Sequence, residues 1–343
     1  MKKALFFLFS LVLGICLFFF VAKYMVNWQE VEKGFRHLSF WKLLLVALFT
    51  LLIFFLEIWR WLEILKKQGD TISFKKLIEP YLAFFPIVYL VPVALIGADF
   101  FRARAIEKDS SLSSSKRIAS VFIDRIFSSF TNLVVICLTS LVFLSRANVF
   151  NKGMAEVYSA VVIFFVFIFL SLGVILFYSK IFKKNRFLKI FLKDGQEQIG
   201  EELKNEIFSF FRKKNFFCIL KILWISLLRF LAMAGQYWLL ALFLGYSLSP
   251  FSLMVIFGFS LTAMETSISA DLGSHDLANT IVFEKIGAGR NIGFAFTLIL
   301  RSISLILAAV GLFFLLKISL HLFENNLLKR IEKIFPGKNE KQQ

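Results

Sequence analysis

The chain has 343 residues, of which 58% are hydrophobic and 46 are Phe, with a mean hydropathy of +0.76. Only 18% are charged, yet Lys and Arg outnumber Asp and Glu by 40 to 23, a net charge of +17. Too few charges exist to coat a soluble fold, and the basic residues sit in short runs between long apolar stretches. That excludes soluble, collagen-like, disordered and disulfide-scaffold classes, and also a nucleic-acid binder, whose basic charge gathers on one domain. The pattern fits an all-α polytopic membrane protein whose loops face an anionic leaflet.

About 20 residues of helix cross the hydrocarbon. In chain order, the segments that meet this test are 4–22, 43–62, 119–145, 157–179, 217–245 and 291–317. The first follows Met1, Lys2 and Lys3 and has no small-x-small cleavage site after it, so it is expected to stay as an uncleaved span. Cys16, Cys137 and Cys218 each lie in an apolar run, without pairing or zinc spacing, and read as small buried hydrophobes.

Two apolar stretches break the rule. Residues 79–104 hold Pro80, Pro86 and Pro92, three of the five prolines, and 250–289 opens at Pro250 and stops at a polar run from Glu265 to Asp276. Such helix ends at membrane depth must be buried in protein or face water. Lys66, Lys67, Lys75 and Lys76 precede the first stretch, and Arg102, Arg104, Lys108, Lys116 and Arg117 follow it. Basic flanks on both sides predict a hairpin that enters and leaves on the cytoplasmic side. The basic loop 180–216 and the tail 318–343 read as cytoplasmic too, so the second hairpin dips in from outside. Six full spans and two oppositely oriented re-entrant hairpins result, in one membrane domain covering 1–343 with both termini cytoplasmic. Segments 43–145 and 217–317 then form half-repeats of opposite orientation, a known transporter device. The outer loop 23–42 carries Lys23, Lys33, Arg36 and Lys42, against the bias.

The run 195–200 has phosphate-loop glycine spacing, but Glu201 and Glu202 replace the Lys and Ser/Thr, so no nucleotide site is expected. An amphipathic surface helix with Phe208, Phe210 and Phe211 against the membrane is the simpler reading.

Ionisable residues in apolar spans are costly and therefore informative. They are Asp99, Arg102 and Arg104 at the exit of the first hairpin, and Asp124 and Arg125 early in the next span. Arg229 and Arg301 lie within later spans, and Asp271, His275 and Asp276 in the second break. Each also has a plain reading: Asp99 can pair locally with Arg102, Arg301 can pair with Asp271 or Asp276, and Glu57, Arg60 and Glu63 can form a solvated interfacial rim. The functional reading gathers the charges around one headgroup site, where arginines hold a phosphate through bidentate bonds. No catalytic set, metal cluster or cofactor site is expected.

Residues 97–104, Gly-Ala-Asp-Phe-Phe-Arg-Ala-Arg, then 120–125, Ser-Val-Phe-Ile-Asp-Arg, resemble one hallmark of a flippase-like integral membrane family. The family is typified by the transmembrane region of lysylphosphatidylglycerol synthase. The turn 270–276 resembles its second hallmark, with Asp271 where the family favours Gly, no Pro-Gly pair, and His275 for the usual Arg. Arg301 fits as well. The resemblance implies a bacterial inner-membrane protein that handles an anionic phospholipid or a polyprenyl-phosphate-type substrate, as a flippase-like lipid transporter. Two other classes stand beside it: an accessory subunit for a membrane-associated transferase, and, less favoured, a lipid headgroup transferase. Family members with synthase activity add a large soluble domain, whereas about 26 residues follow the last span here, too few to fold alone.

Overall fold

A computed structural model describes residues 12–36, 38–90, 95–146, 197–266 and 272–334. The fold is all-α: helix accounts for 86% of it, and no strand occurs among the described residues. The helices are α1 (Val12–Met25), α2 (Trp28–Arg36), α3 (Phe40–Lys67), α4 (Phe74–Leu90), α5 (Leu95–Ala105), α6 (Ser114–Arg146), α7 (Glu197–Phe210), α8 (Phe216–Phe243), α9 (Pro250–Thr266), α10 (Ser274–Lys285) and α11 (Arg290–Ile334).

Four of these are long and apolar enough to cross a membrane: α3, α6, α8 and α11, the last through Leu320. They match the expected spans 43–62, 119–145, 217–245 and 291–317. The expected span 4–22 is described only from Val12. It ends in a π-helical turn, Val21–Met25, and the chain then bends by 92° into α2. The expected span 157–179 lies outside the described residues. Two of the basic residues of 23–42, Lys33 and Arg36, lie on the short helix beyond this bend. Lys33 pairs with Glu30, and Arg36 with Glu32, along the exposed side of the short α2.

Backbone chemistry sets the breaks. Helices α3 and α8, 28 residues each, both end two residues before a glycine in the left-handed region, Gly69 (φ +100°) and Gly245 (φ +87°). Such a glycine closes a helix without Cβ strain. After Gly69, the Asp70 carboxylate accepts the N–H groups of Thr71, Ile72 and Ser111, tying two loops together. Helix α4 contains Pro80 and Pro86, spans 17 residues, and is followed by the 11-residue α5. At 1.5 Å per residue they reach about 25 and 16 Å, short of a 30 Å core. Helices α9 and α10, 17 and 12 residues, are their counterparts later in the chain.

The packing scheme has a matching order. Helix α3 packs on α8, α4 on α11, and α9 on α6. Exchanging α3–α6 for α8–α11 turns each of these contacts into itself or another of them. Glycines allow the close crossings: a Cβ on Gly311 of α11 would meet the Leu82 carbonyl of α4, and one on Gly258 of α9 would meet Thr139 of α6. Small residues at such crossings let helix backbones approach in the absence of a strong hydrophobic drive between helices.

Two apolar cores result. One is built on α3–α8, around Trp61, Leu65, Ile106, Ile123 and Leu203. The other joins α1, α2 and α8–α11, around Phe283, Phe294 and Phe296. Outside them the polarity is reversed relative to a soluble protein. Phe217 is 84% exposed, Trp41 73% and Phe40 71%, whereas Arg60 is 2% and Asp124 3% exposed. Helix α7 is amphipathic as expected, with Leu203, Ile207 and Phe210 turned inward onto α6 and Phe208 exposed. Phe210 therefore faces protein and not the membrane, edge-on to Phe127, and the partly exposed Phe211 stacks on the same ring. Cys137 is buried and Cys218 half-buried, but Cys16 is exposed, so the buried reading fails there.

Candidate functional site

The buried charges fall into two groups, one in each core. In the first, Asp124 of α6 is the centre. Its Oδ1 accepts from Arg60 Nε of α3 at 2.7 Å, and its Oδ2 from Arg102 Nη2 of α5 at 2.9 Å. Next to it, Arg125 reaches across to Asp99 of α5, 3.1 Å to Oδ1 and 3.3 Å to Oδ2. One turn earlier on α3, Glu57 accepts from Arg229 Nε of α8 at 2.8 Å and from the Tyr81 hydroxyl of α4 at 2.9 Å. Arg229 also donates to Asn132 Oδ1 of α6. Five helices are thus joined through four guanidinium groups and three carboxylates.

Aromatic faces complete the Arg102 surroundings. Its guanidinium carbon lies 4.6 Å from the Trp61 ring centre, 4.7 Å from Phe84 and 5.3 Å from Tyr81. Trp61 is held in turn by its ring N–H bond to the Ser120 hydroxyl at 3.0 Å. Guanidinium suits this cage because it is weakly hydrated and stacks on aromatic faces. Within the group, Arg60 Nη1 and Arg102 Nε are buried N–H donors without a partner among the described residues. One carboxylate divided between two guanidinium groups leaves hydrogen-bonding capacity over.

These contacts correct two expectations. Glu57 and Arg60 are not a solvated rim; only Glu63, paired with Lys221 and bonded by the Trp59 ring N–H, keeps that character. Nor do Asp99 and Arg102 pair locally, because each reaches a different residue on α6. Glu57, Arg60, Trp61 and Ile64 share one face of a helix, a spacing that groups these charges without saying which way the face turns. Arg104 is exposed near the end of α5.

The second group sits at the start of α10. Gly273 adopts φ +79°, and a Cβ there would lie 2.5 Å from the Leu17 Cβ and 2.6 Å from the Gly14 carbonyl of α1. Only glycine fits, both for the backbone angle and for the approach of α1. The Asp276 carboxylate bends back to accept the Gly273 N–H at 3.0 Å, a turn-capping bond, and the same Oδ2 accepts from Arg301 Nη2 at 2.6 Å. Arg301 lies over the Phe18 ring of α1 at 5.5 Å. Deeper in, the Ser260 hydroxyl donates to Asn279 Oδ1, and Asn279 Nδ2 donates to Thr297 Oγ1. Along α10, four buried polar atoms have no partner among the described residues: Ser274 Oγ, His275 Nε2, Asp276 Oδ1 and Thr280 Oγ1. Of the two acids offered for Arg301, Asp276 is the one in contact; Asp271 lies outside the described residues. Asn132, Asn279, Thr297 and Ser260 were not singled out from sequence, since a lone amide or hydroxyl in an apolar span gives no charge signal.

The described pairs do not draw all the charges into one cluster. Asp99, Arg102, Asp124, Arg125 and Arg229 belong to the first group, and His275, Asp276 and Arg301 to the second. Among the described residues no set of three or more His, Cys, Asp or Glu side chains could hold a metal ion. What both groups offer is buried hydrogen-bonding capacity, mostly cationic in the first and mixed in the second.

The family model described as the lysylphosphatidylglycerol synthase TM region matches residues 7–311. No curated protein and no solved structure matches the chain.

Proposed function

The chain belongs to the lysylphosphatidylglycerol synthase TM region family, membrane domains of lipid-related proteins, and from that premise we propose that it moves an anionic lipid across the bilayer. It is a multi-pass membrane protein. The cargo is an anionic phospholipid or a polyprenyl-phosphate-linked substrate. The observation that carries this reading is Asp124 shared by Arg60 and Arg102, with unpartnered guanidinium N–H groups left inside an apolar bundle. A phosphate oxygen is the acceptor that such donors favour, through charge-assisted bonds. Burying that many ions is weak support for stability alone, because desolvation offsets much of the Coulomb gain.

In this reading Asp99, Arg102, Asp124 and Arg125 form one polar step for the headgroup, with Arg229 bracing it and Arg104 at its mouth. His275, Asp276 and Arg301 form a second step, and the lipid tails stay in hydrocarbon. Helices α4–α5 and α9–α10 are the two re-entrant hairpins, six spans complete the fold, and the matched packing of α3–α6 and α8–α11 supports the half-repeats. The termini lie on the cytoplasmic side of a bacterial inner membrane, following the basic flanks.

The test is reconstitution into vesicles holding phosphatidylglycerol with a fluorescent acyl chain, followed by dithionite bleaching of the outer leaflet. Transport is expected to carry bleaching well past the outer-leaflet fraction seen in protein-free vesicles, and Arg102→Gln is expected to remove that excess. Bleaching that stops at the protein-free level for the native chain overturns the reading.

A further inference from the structure

A cavity that shares no lining residue with either charge group lies where the end of α3, the start of α6, the end of α7 and the turn before α8 come together. Its volume is about 270 Å³, and its walls include Lys67, Gln68, Lys116, Glu206, Lys214 and Asn215. None of the three lysines makes an ion pair among the described residues, and one carboxylate faces three ammonium groups. The amide walls are unsatisfied as well. Gln68 has both its Nε2 and its Oε1 buried without a partner, and Asn215 has a buried, unpartnered Oδ1. Asn215 is 6% exposed, and its orientation is fixed because Nδ2 donates to the Ser209 and Phe210 carbonyls. Its oxygen is therefore held as an acceptor. The Ser115 hydroxyl bond to Glu202, at 2.8 Å, clamps α7 to α6 beside the cavity.

Unpaired buried polar atoms call for a partner. Three lysines and an amide N–H₂ suit a phosphate group, which lysine binds as a point charge. The Gln68 and Asn215 oxygens and the Glu206 carboxylate need donors, which a bare phosphate diester lacks. The volume lies just under the range usual for drug-sized ligands, so the ligand is small. We propose that this cavity binds a phosphate ester whose short headgroup carries hydroxyl or ammonium donors, such as a glycerol or ethanolamine phosphate. The site is independent of the transport reading. Lys66, Lys75, Lys76, Arg212 and Lys213 lie close by in sequence, on the neighbouring helix ends, so the cavity opens at the basic end of the bundle. Two sources fit that level: a lipid of the adjoining leaflet or a free phosphate ester.

The experiment uses the full chain in detergent, with dioctanoyl phosphatidylglycerol, dioctanoyl phosphatidylcholine and sn-glycerol 3-phosphate as probes, read by native mass spectrometry and calorimetry. Binding of phosphatidylglycerol is expected to weaken by about tenfold or more in the Lys67→Gln/Lys116→Gln/Lys214→Gln variant. Lys33→Gln, at an exposed position on α2, is expected to leave that binding unchanged. Competition by glycerol 3-phosphate at similar concentration identifies a soluble ester, and failure to compete identifies a lipid; either supports the site. Should the triple variant not fold, Lys214→Glu at an exposed position gives the same reading. Unchanged binding in the lysine variants, or phosphatidylcholine binding as tightly as phosphatidylglycerol, overturns the proposal.

Discussion

In the first core one carboxylate, Asp124, serves two arginines from two different helices, and aromatic rings enclose one of them. In the second core Asp276 serves one arginine, Arg301, and a backbone N–H at the start of its own helix. Both carboxylates are buried, but their surroundings differ in how much depends on them. Around Asp124, removing the negative charge leaves Arg60 and Arg102 facing each other in a low-dielectric interior, and the joint between α3, α5 and α6 loses its centre. Around Asp276, the amide of an Asn could still accept the Gly273 N–H, and only one guanidinium loses a counter-charge. The second group also keeps four unpartnered polar atoms along less than two turns of α10, where the first keeps two N–H donors. The comparison teaches that burial of an acid says little about its weight; the number of cations it neutralises says more.

The largest expected effect follows at Asp124. Asp124→Asn is expected to destabilise the folded chain by about 5 kcal/mol, since a buried, uncompensated charge costs at the upper end of measured pair-breaking values. Thermal melting in detergent and the yield of monodisperse protein on size exclusion check it. A smaller loss is expected for Asp276→Asn, about 2 kcal/mol, in the range for a single charge-assisted bond replaced by a neutral one. If the two variants melt alike, the contrast between the cores fails. At Trp61, replacement by Phe keeps a ring over Arg102 but removes the N–H donated to Ser120. A decrease of about 1 kcal/mol is expected from that lost bond and the weaker cation–π face. Melting of Trp61→Phe alone and combined with Ser120→Ala separates the hydrogen bond from the ring contact.

Arg60 shows where reading the sequence reaches its limit. It sits near the end of a predicted span, where snorkelling to a wet interface is the usual fate of an arginine. Its helical spacing with Glu57 and Trp61 placed it on a definite face, but not on the inward one. Only the packing of α3 against α6 and α8 decided that, by bringing Asp124 within 2.7 Å from 64 residues away. Arg229 and Arg301 were legible because a guanidinium well inside an apolar span has few places to go. Their partners, Glu57 from 172 residues away and Asp276 from 25, were only half legible. Phe210 misled for the same reason as Arg60: an amphipathic helix announces two faces, and the neighbour that covers one of them is set by the tertiary fold.

By itself the sequence determined that the chain is helical and membrane-spanning, which long apolar runs dictate because every backbone N–H must be satisfied within the segment. It also located the breaks, since proline removes a donor and a polar run cannot face lipid. Helices α4, α5, α9 and α10 are short where those signals stand. The tertiary structure alone decided which charges meet. A charge's partner depends on helix rotation and crossing, and these are fixed by distant contacts such as Gly311 against Leu82 and Gly258 against Thr139. Two separate charge groups, and a lysine-lined cavity at the basic end, are consequences of that packing and have no signature in local residue order.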